Sequence, residues 1–246
     1  MEPIVLILII LGLFVVLFTM LSNKDQNKSS VFFDWYDHRL DEITSRERGT
    51  CSEKKLIRKL LDYGIPPKAI FHDLYVKNGK YGFAQIDVAV ATRVGIIVFE
   101  VKDYSGWIFG RGKDVKWTQG LYDKYNREKH TYRFYNPVLQ NESHIKVLQK
   151  QSDQFKTLPF YSVVIFYGNC ELRDISFIPD GTFVAKPHRL RDVLDTILEN
   201  PEAKYTDKRE VMNILKSAVD NGNNSETQTK HVENIRDMLG ADRVFE

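Results

Sequence analysis

Two stretches decide the fold: Phe83-Ala-Gln-Ile-Asp-Val-Ala-Val-Ala91 and Gly95-Ile-Ile-Val-Phe-Glu-Val-Lys102, joined by Thr92-Arg-Val. Both are rich in β-branched residues and bounded by turn residues, so both predict strands. Alternation puts Gln85, Asp87, Ala89 and Ala91 on one face of the first. It puts Ile96, Val98, Glu100 and Lys102 on one face of the second. A hairpin centred between Arg93 and Val94 pairs Thr92 with Gly95, Asp87 with Glu100 and Gln85 with Lys102. Directly opposed side chains point the same way, with Cβ atoms about 5 Å apart. A slip of one residue would carry Asp87 to the opposite face.

Two carboxylates that close repel unless a cation lies between them. A hard divalent ion, Mg²⁺ or Mn²⁺, suits oxygen ligands and takes phosphate oxygens readily. Such an ion polarises a phosphodiester and activates water. Lys102 would then position that water or neutralise charge in the transition state. To act as a base it would need a lowered pKa. A solvated ion pair is the plain alternative for Glu-x-Lys on a strand. Glu53, early in a predicted helix, is placed as a further carboxylate, or as a favourable charge in the first helical turn. Gln140 and His144 share a helical face four residues apart. Gln140 is a candidate to orient water or phosphate, and His144 is given no role.

Outward from the hairpin, Leu56, Ile57, Leu60 and Leu61 form the apolar stripe of a helix that follows Gly49 and stops at Gly64-Ile-Pro-Pro67. Ala69 to Val76 reads as a strand, with Asn78-Gly79 as the turn into Phe83. Short strands are expected around Trp107-Ile-Phe and Val115-Lys-Trp117. A helix starts at Pro137, a buried strand covers 161–167, and another helix covers 188–198. Beyond Pro201, helical patterns at Val211, Ile214, Leu215 and Ala218, and at Val232, Ile235 and Leu239, flank a polar link. This order gives an α/β or α+β domain.

The 246 residues carry a net charge of +2, so no global field attracts nucleic acid. Residues 102–133 differ, with eight basic against four acidic side chains interleaved with seven aromatics. That mixture suits a nucleic-acid groove; a solvated face over core aromatics is the alternative. The 15 Phe, 12 Tyr and 3 Trp exclude a wholly disordered chain. Cys51 and Cys170 form no disulfide framework or zinc pattern and fit a reducing compartment. Ile4 to Leu21 is an uncharged apolar run spanning roughly 27 Å as a helix, enough to cross a bilayer. The flanks do not fit a cleaved signal. Lys24, Lys28 and Arg39 follow it and none precedes it, which places the rest in the cytoplasm.

Taken in order, Gly49 with Glu53, Gln85-Ile-Asp87, Gly95 to Lys102, Ser105-Gly-Trp107, and Asn136-Pro-Val-Leu-Gln140 with His144 resemble the nuclease-related domain family, NERD. That family looks like a branch of the PD-(D/E)XK superfamily. The resemblance implies a restriction-endonuclease-like mixed β-sheet flanked by helices. It implies Asp87 and Glu100 as metal-binding carboxylates with Glu53 as a helical acid, Lys102 as catalytic lysine and Gln140 as helix glutamine. The usual strand acid before the Asp is Gln85 here. The expected organisation is a transmembrane anchor at 1–22, a juxtamembrane linker at 23–47, a NERD-like domain at 48–200 and a helical tail at 201–246. The function expected is a single-pass, membrane-anchored, Mg²⁺-dependent nuclease on the cytoplasmic side of the cell membrane, with DNA placed ahead of RNA as substrate. The alternative is a non-catalytic module that binds nucleic acid or protein at the membrane.

Overall fold

The computed structural model describes residues 38–45, 47–79, 82–123, 125, 127–224 and 227–229. The apolar run at 4–21 and the pattern at Val232, Ile235 and Leu239 lie outside the described residues. Among the described residues no helix is long and apolar enough to cross a membrane. The chain divides into units 1–42 and 43–246. Of the first, residues 38–42 are described, and 38–41 are helical.

Helix α1 (Cys51–Tyr63) begins where Thr50 Oγ1 accepts a hydrogen bond from the Glu53 amide, and ends at Gly64, whose φ of 107° lets the chain leave left-handed. Leu56, Ile57 and Leu60 are fully buried along its stripe. Strands β1 (Ile70–Lys77), β2 (Phe83–Thr92) and β3 (Gly95–Asp103) form an antiparallel meander. The β2–β3 ladder runs from Thr92 opposite Gly95 to Val88 opposite Phe99, the register expected from the turn. Gly95 has φ of 136° and no room for a side chain: a Cβ would stand 2.3 Å from the Pro159 carbonyl oxygen.

From β3 the chain enters a second sheet, β4 (Gly106–Arg111), β5 (Lys116–Asp123) and β6 (Glu128–Tyr135). It returns through α2 (Pro137–Gln149) and the short α3 (Asp153–Thr157) to β7 (Phe160–Tyr167), which pairs parallel with β3. β8 (Cys170–Ser176) joins the second sheet beside β4, and β9 (Thr182–Ala185) the first beside β7. The orders are β1-β2-β3-β7-β9 and β6-β5-β4-β8. The protein is thus an α/β fold with two mixed sheets flanked by helices, which fits a restriction-endonuclease-like architecture; one sheet was expected. Central β3 and β7 are buried on both faces and correspondingly apolar.

Helices α4 (Leu190–Leu198) and α5 (Lys208–Asn221) complete the unit. Helix α5 is therefore built in: Val211, Leu215 and Ala218 lie in one core cluster with Leu74, Val76, Ile86 and Ile96 of the meander. A second cluster sets Ile108 and Trp117 of the second sheet against Val138 of α2 and Val164 and Phe166 of β7. The Trp117 and Phe166 rings stack with centroids 6.1 Å apart. Asn136 locks this corner. Its Oδ1 accepts from the Val138 amide, and its Nδ2 donates to the carbonyls of Arg111, Gly112 and Asp114.

Candidate active site

The hydrogen-bonded ladder between β2 and β3 ends at Val88 and Phe99, one residue before Asp87 and Glu100. Past that point the Asp87 side chain replaces the backbone partner: its Oδ2 accepts from the Val101 amide at 2.7 Å. The carboxylate is thereby held against the segment that carries Glu100. Burial pushes the Asp87 carboxyl well above its ordinary pKa, and the nearby charges of Glu100 and Glu53 push it further. Three acids therefore feel one another.

Glu100 is 1% exposed. Its Oε1 lies 2.5 Å from Lys102 Nζ. Burial raises the Glu100 carboxyl pKa, and the Lys102 charge offsets this only in part. Lys102 Nζ also donates to Gln140 Oε1 at 3.0 Å, so α2 delivers the glutamine to the strand lysine. For Lys102, burial presses the pKa down, but Glu100 and Asp87 prevail and hold it above the ordinary value. That direction favours the ammonium form.

All five residues singled out in the sequence thus fall in one neighbourhood. Residues 48–167 match the family described as NERD, nuclease-related domain. The chain carries a nuclease-related domain. It is also 33% identical over 131 residues to an uncharacterized protein of Bacillus anthracis, a match covering 52% of this chain and 57% of that one. The chain thus spans little more than half the length of that relative. No solved structure matches significantly.

Within the nuclease-related domain, Glu53 has two duties. It shares the helix cap with Thr50, whose Oγ1 accepts from the Glu53 amide at 3.3 Å and donates to Glu53 Oε1 at 2.7 Å. Its Oε2 stands 2.9 Å from Nε2 of His72, a histidine 1% exposed. Burial raises the Glu53 pKa, but the His72 and Thr50 bonds outweigh it and leave the carboxyl below its ordinary value. Gly49 is needed here: at φ of 69°, a Cβ would fall 2.3 Å from His72 Nε2.

Gln85 does not face Lys102. The ladder has already opened, and Gln85 Nε2 donates instead to Asp73 Oδ1 at 2.7 Å. Asp73, left-handed at φ of 55°, interrupts the β1–β2 pairing between His72 and Leu74. Arg48 clamps it through Nε to Asp73 Oδ2 at 2.8 Å and reaches the Val219 carbonyl at the end of α5. His144, given no role above, stands with Nδ1 3.5 Å from Glu100 Oε2. Sequence reasoning missed His72, Asp73 and Arg48. The signal was there: His72-Asp73 interrupts an otherwise apolar strand.

Among the described residues, no three His, Cys, Asp or Glu side chains converge as a ready metal cage. The contacts above explain this, since Lys102 engages Glu100, and Thr50 with His72 holds Glu53. The donors still fit Mg²⁺, which needs only one or two carboxylates and keeps several waters. Glu100 Oε2 is buried with no hydrogen bond, its neighbour being His144 Nδ1 at 3.5 Å, and a hard cation would satisfy it.

Proposed function

We propose that the domain is a metal-dependent nuclease that hydrolyses phosphodiesters of nucleic acid, tethered to a membrane by residues 4–21 on the cytoplasmic side. The observation that carries this is the junction of Asp87, Glu100 and Lys102 at the mouth of the β2–β3 hairpin. Asp87 and Glu100 would hold Mg²⁺ or Mn²⁺, with Glu53 at the border of the site. Such an ion, when bound, supplies Lewis acidity toward the phosphate and a more acidic water.

The chain's own residues do the rest. Lys102, kept as an ammonium, offsets charge that builds on phosphate oxygens. Gln140 gives it a second anchor, so it keeps its place when it leaves Glu100. His144 lies at the other oxygen of Glu100. The Arg48–Asp73–Gln85 chain of hydrogen bonds fixes the β1–β2 end beside Asp87. His72 and Thr50 keep Glu53 ionised at the border.

The test is incubation of the full-length protein in detergent with single- and double-stranded DNA and RNA, in Mg²⁺, Mn²⁺ or EDTA. Cleavage of at least one substrate with a divalent ion and none in EDTA is expected. Binding without cleavage under every condition would favour the non-catalytic module, a reading that the closed Lys102–Glu100 pair also supports. Membrane attachment is checked by fractionation: removal of residues 4–21 should release the protein into the soluble fraction. External protease on intact cells should leave the domain whole.

A further inference from the structure

The basic and aromatic run at 102–133 does not form one groove. Strand alternation divides it between the two faces of the second sheet. One face carries Ile108 and Trp117, both buried in the core. The other looks outward. On β4 it presents Trp107 and Phe109, which flank Gly120 of β5. Arg111 follows two residues on.

Opposite residues across β5 and β6 extend this outer face: Lys116 pairs with Tyr135, Thr118 with Arg133 and Tyr122 with Lys129. All except the half-buried Thr118 are exposed, Tyr122 at 47% and Tyr135 at 50%. On the far edge β8 adds Arg173, whose guanidinium lies 4.9 Å over the Trp107 ring, beside Glu171. Arg173 lies outside the basic run that the sequence marks. Five cations thus share a face with four aromatic rings and the Glu171 carboxylate. Among the described residues Lys116, Lys129 and Arg133 make no ion pair with any carboxylate.

A protein core partner would not want this many desolvated cations. A duplex offers phosphates but keeps its bases stacked out of reach. Flat rings set among cations match a strand with both free base faces and phosphates. Resting on the nuclease reading for its substrate class, we propose that the outer face of the β6-β5-β4-β8 sheet is a platform for single-stranded nucleic acid. Trp107 is five residues from Lys102, so their Cα atoms are at most about 18 Å apart. The platform would hold the strand next to the hairpin that carries Asp87 and Glu100.

The test is anisotropy of fluorescein-labelled (dT)20, and of a duplex of equal length, with full-length protein in EDTA. (dT)20 should bind more tightly than the duplex. Lys129→Glu with Arg133→Glu should weaken (dT)20 at least tenfold and flatten the log Kd against log salt slope by about 1.4. Tyr122→Ser with Tyr135→Ser should weaken it about tenfold or more. Lys208→Glu with Lys216→Glu on α5 matches the charge change elsewhere and should leave affinity within twofold. Wild-type affinity in both platform variants would overturn the proposal. So would intact (dT)20 binding with a lost preference for phosphatidylserine over phosphatidylcholine vesicles, which would make the face membrane-directed. Binding that follows the expected pattern without cleavage in Mg²⁺ would remove the hydrolase reading and leave the platform standing.

Discussion

On the proposed nuclease reading Lys102 and Asp87 have different duties, and substitution separates them. Lys102→Ala should cut cleavage about 100-fold or more while calorimetry still detects Mg²⁺ binding, because the ammonium stabilises charge and does not ligate. Asp87→Asn should lose both, since a neutral amide is a poor ligand for a hard cation. Stability should move the other way. The folded pKa of Asp87 lies above its ordinary value of 3.8, so the folded state holds more protons than the unfolded state in that window. Its contribution therefore favours folding at low pH and is lost as pH rises through the folded pKa. Without metal, Asp87→Asn should melt higher than wild type at pH 8, with the gain shrinking toward pH 4. A lower melting temperature at pH 8 would mark a structural ion-pair cluster. Glu53 acts in the opposite sense: its folded pKa lies below 4.5, so its contribution is present above that value and fades on acidification. Asp87, Glu100 and Lys102 were legible because local alternation and a two-strand register suffice to bring them together. Arg48 and Asp73 were not, because their contact joins residues 25 apart and rests on a backbone kink that no periodicity encodes.

At the scale of elements, α1, the meander and β7 were legible as apolar patterns with clear stops. β6 was not: its eight residues are nearly all exposed, so it lacks the apolar alternation that marks a strand. Pairing with β5 holds it in place. β8 and β9 are short and half-exposed for the same reason. The joints between elements carry much of the specificity. Asn136→Ala should destabilise the fold by about 2–3 kcal/mol, from a lost helix cap and three carbonyls deprived of their donor. Gly95→Ala should cost at least about 2 kcal/mol, because the obstructing atom is the Pro159 backbone oxygen and cannot rotate aside. Urea denaturation of each variant gives the number.

For the whole molecule, the nuclease-related match ends at residue 167, yet the core does not. Arg48 reaches the Val219 carbonyl, Tyr205 donates to the Thr92 carbonyl at 2.6 Å, and α5 covers the meander. A chain stopped after residue 200 should lose its cooperative unfolding transition in circular dichroism, which a dispensable tail would not cause. The same architecture sets a schedule for synthesis. β1, β2 and β3 are contiguous and can pair as soon as they emerge, but β3 must wait for its parallel partner β7 across residues 104–159. At ribosomal speeds of about 5–20 residues per second that wait lasts several seconds. α5 arrives later still. Throughout, the meander holds Ile96 and Val98 to solvent on a nascent chain, which makes it a substrate for holding chaperones before it is part of a finished fold.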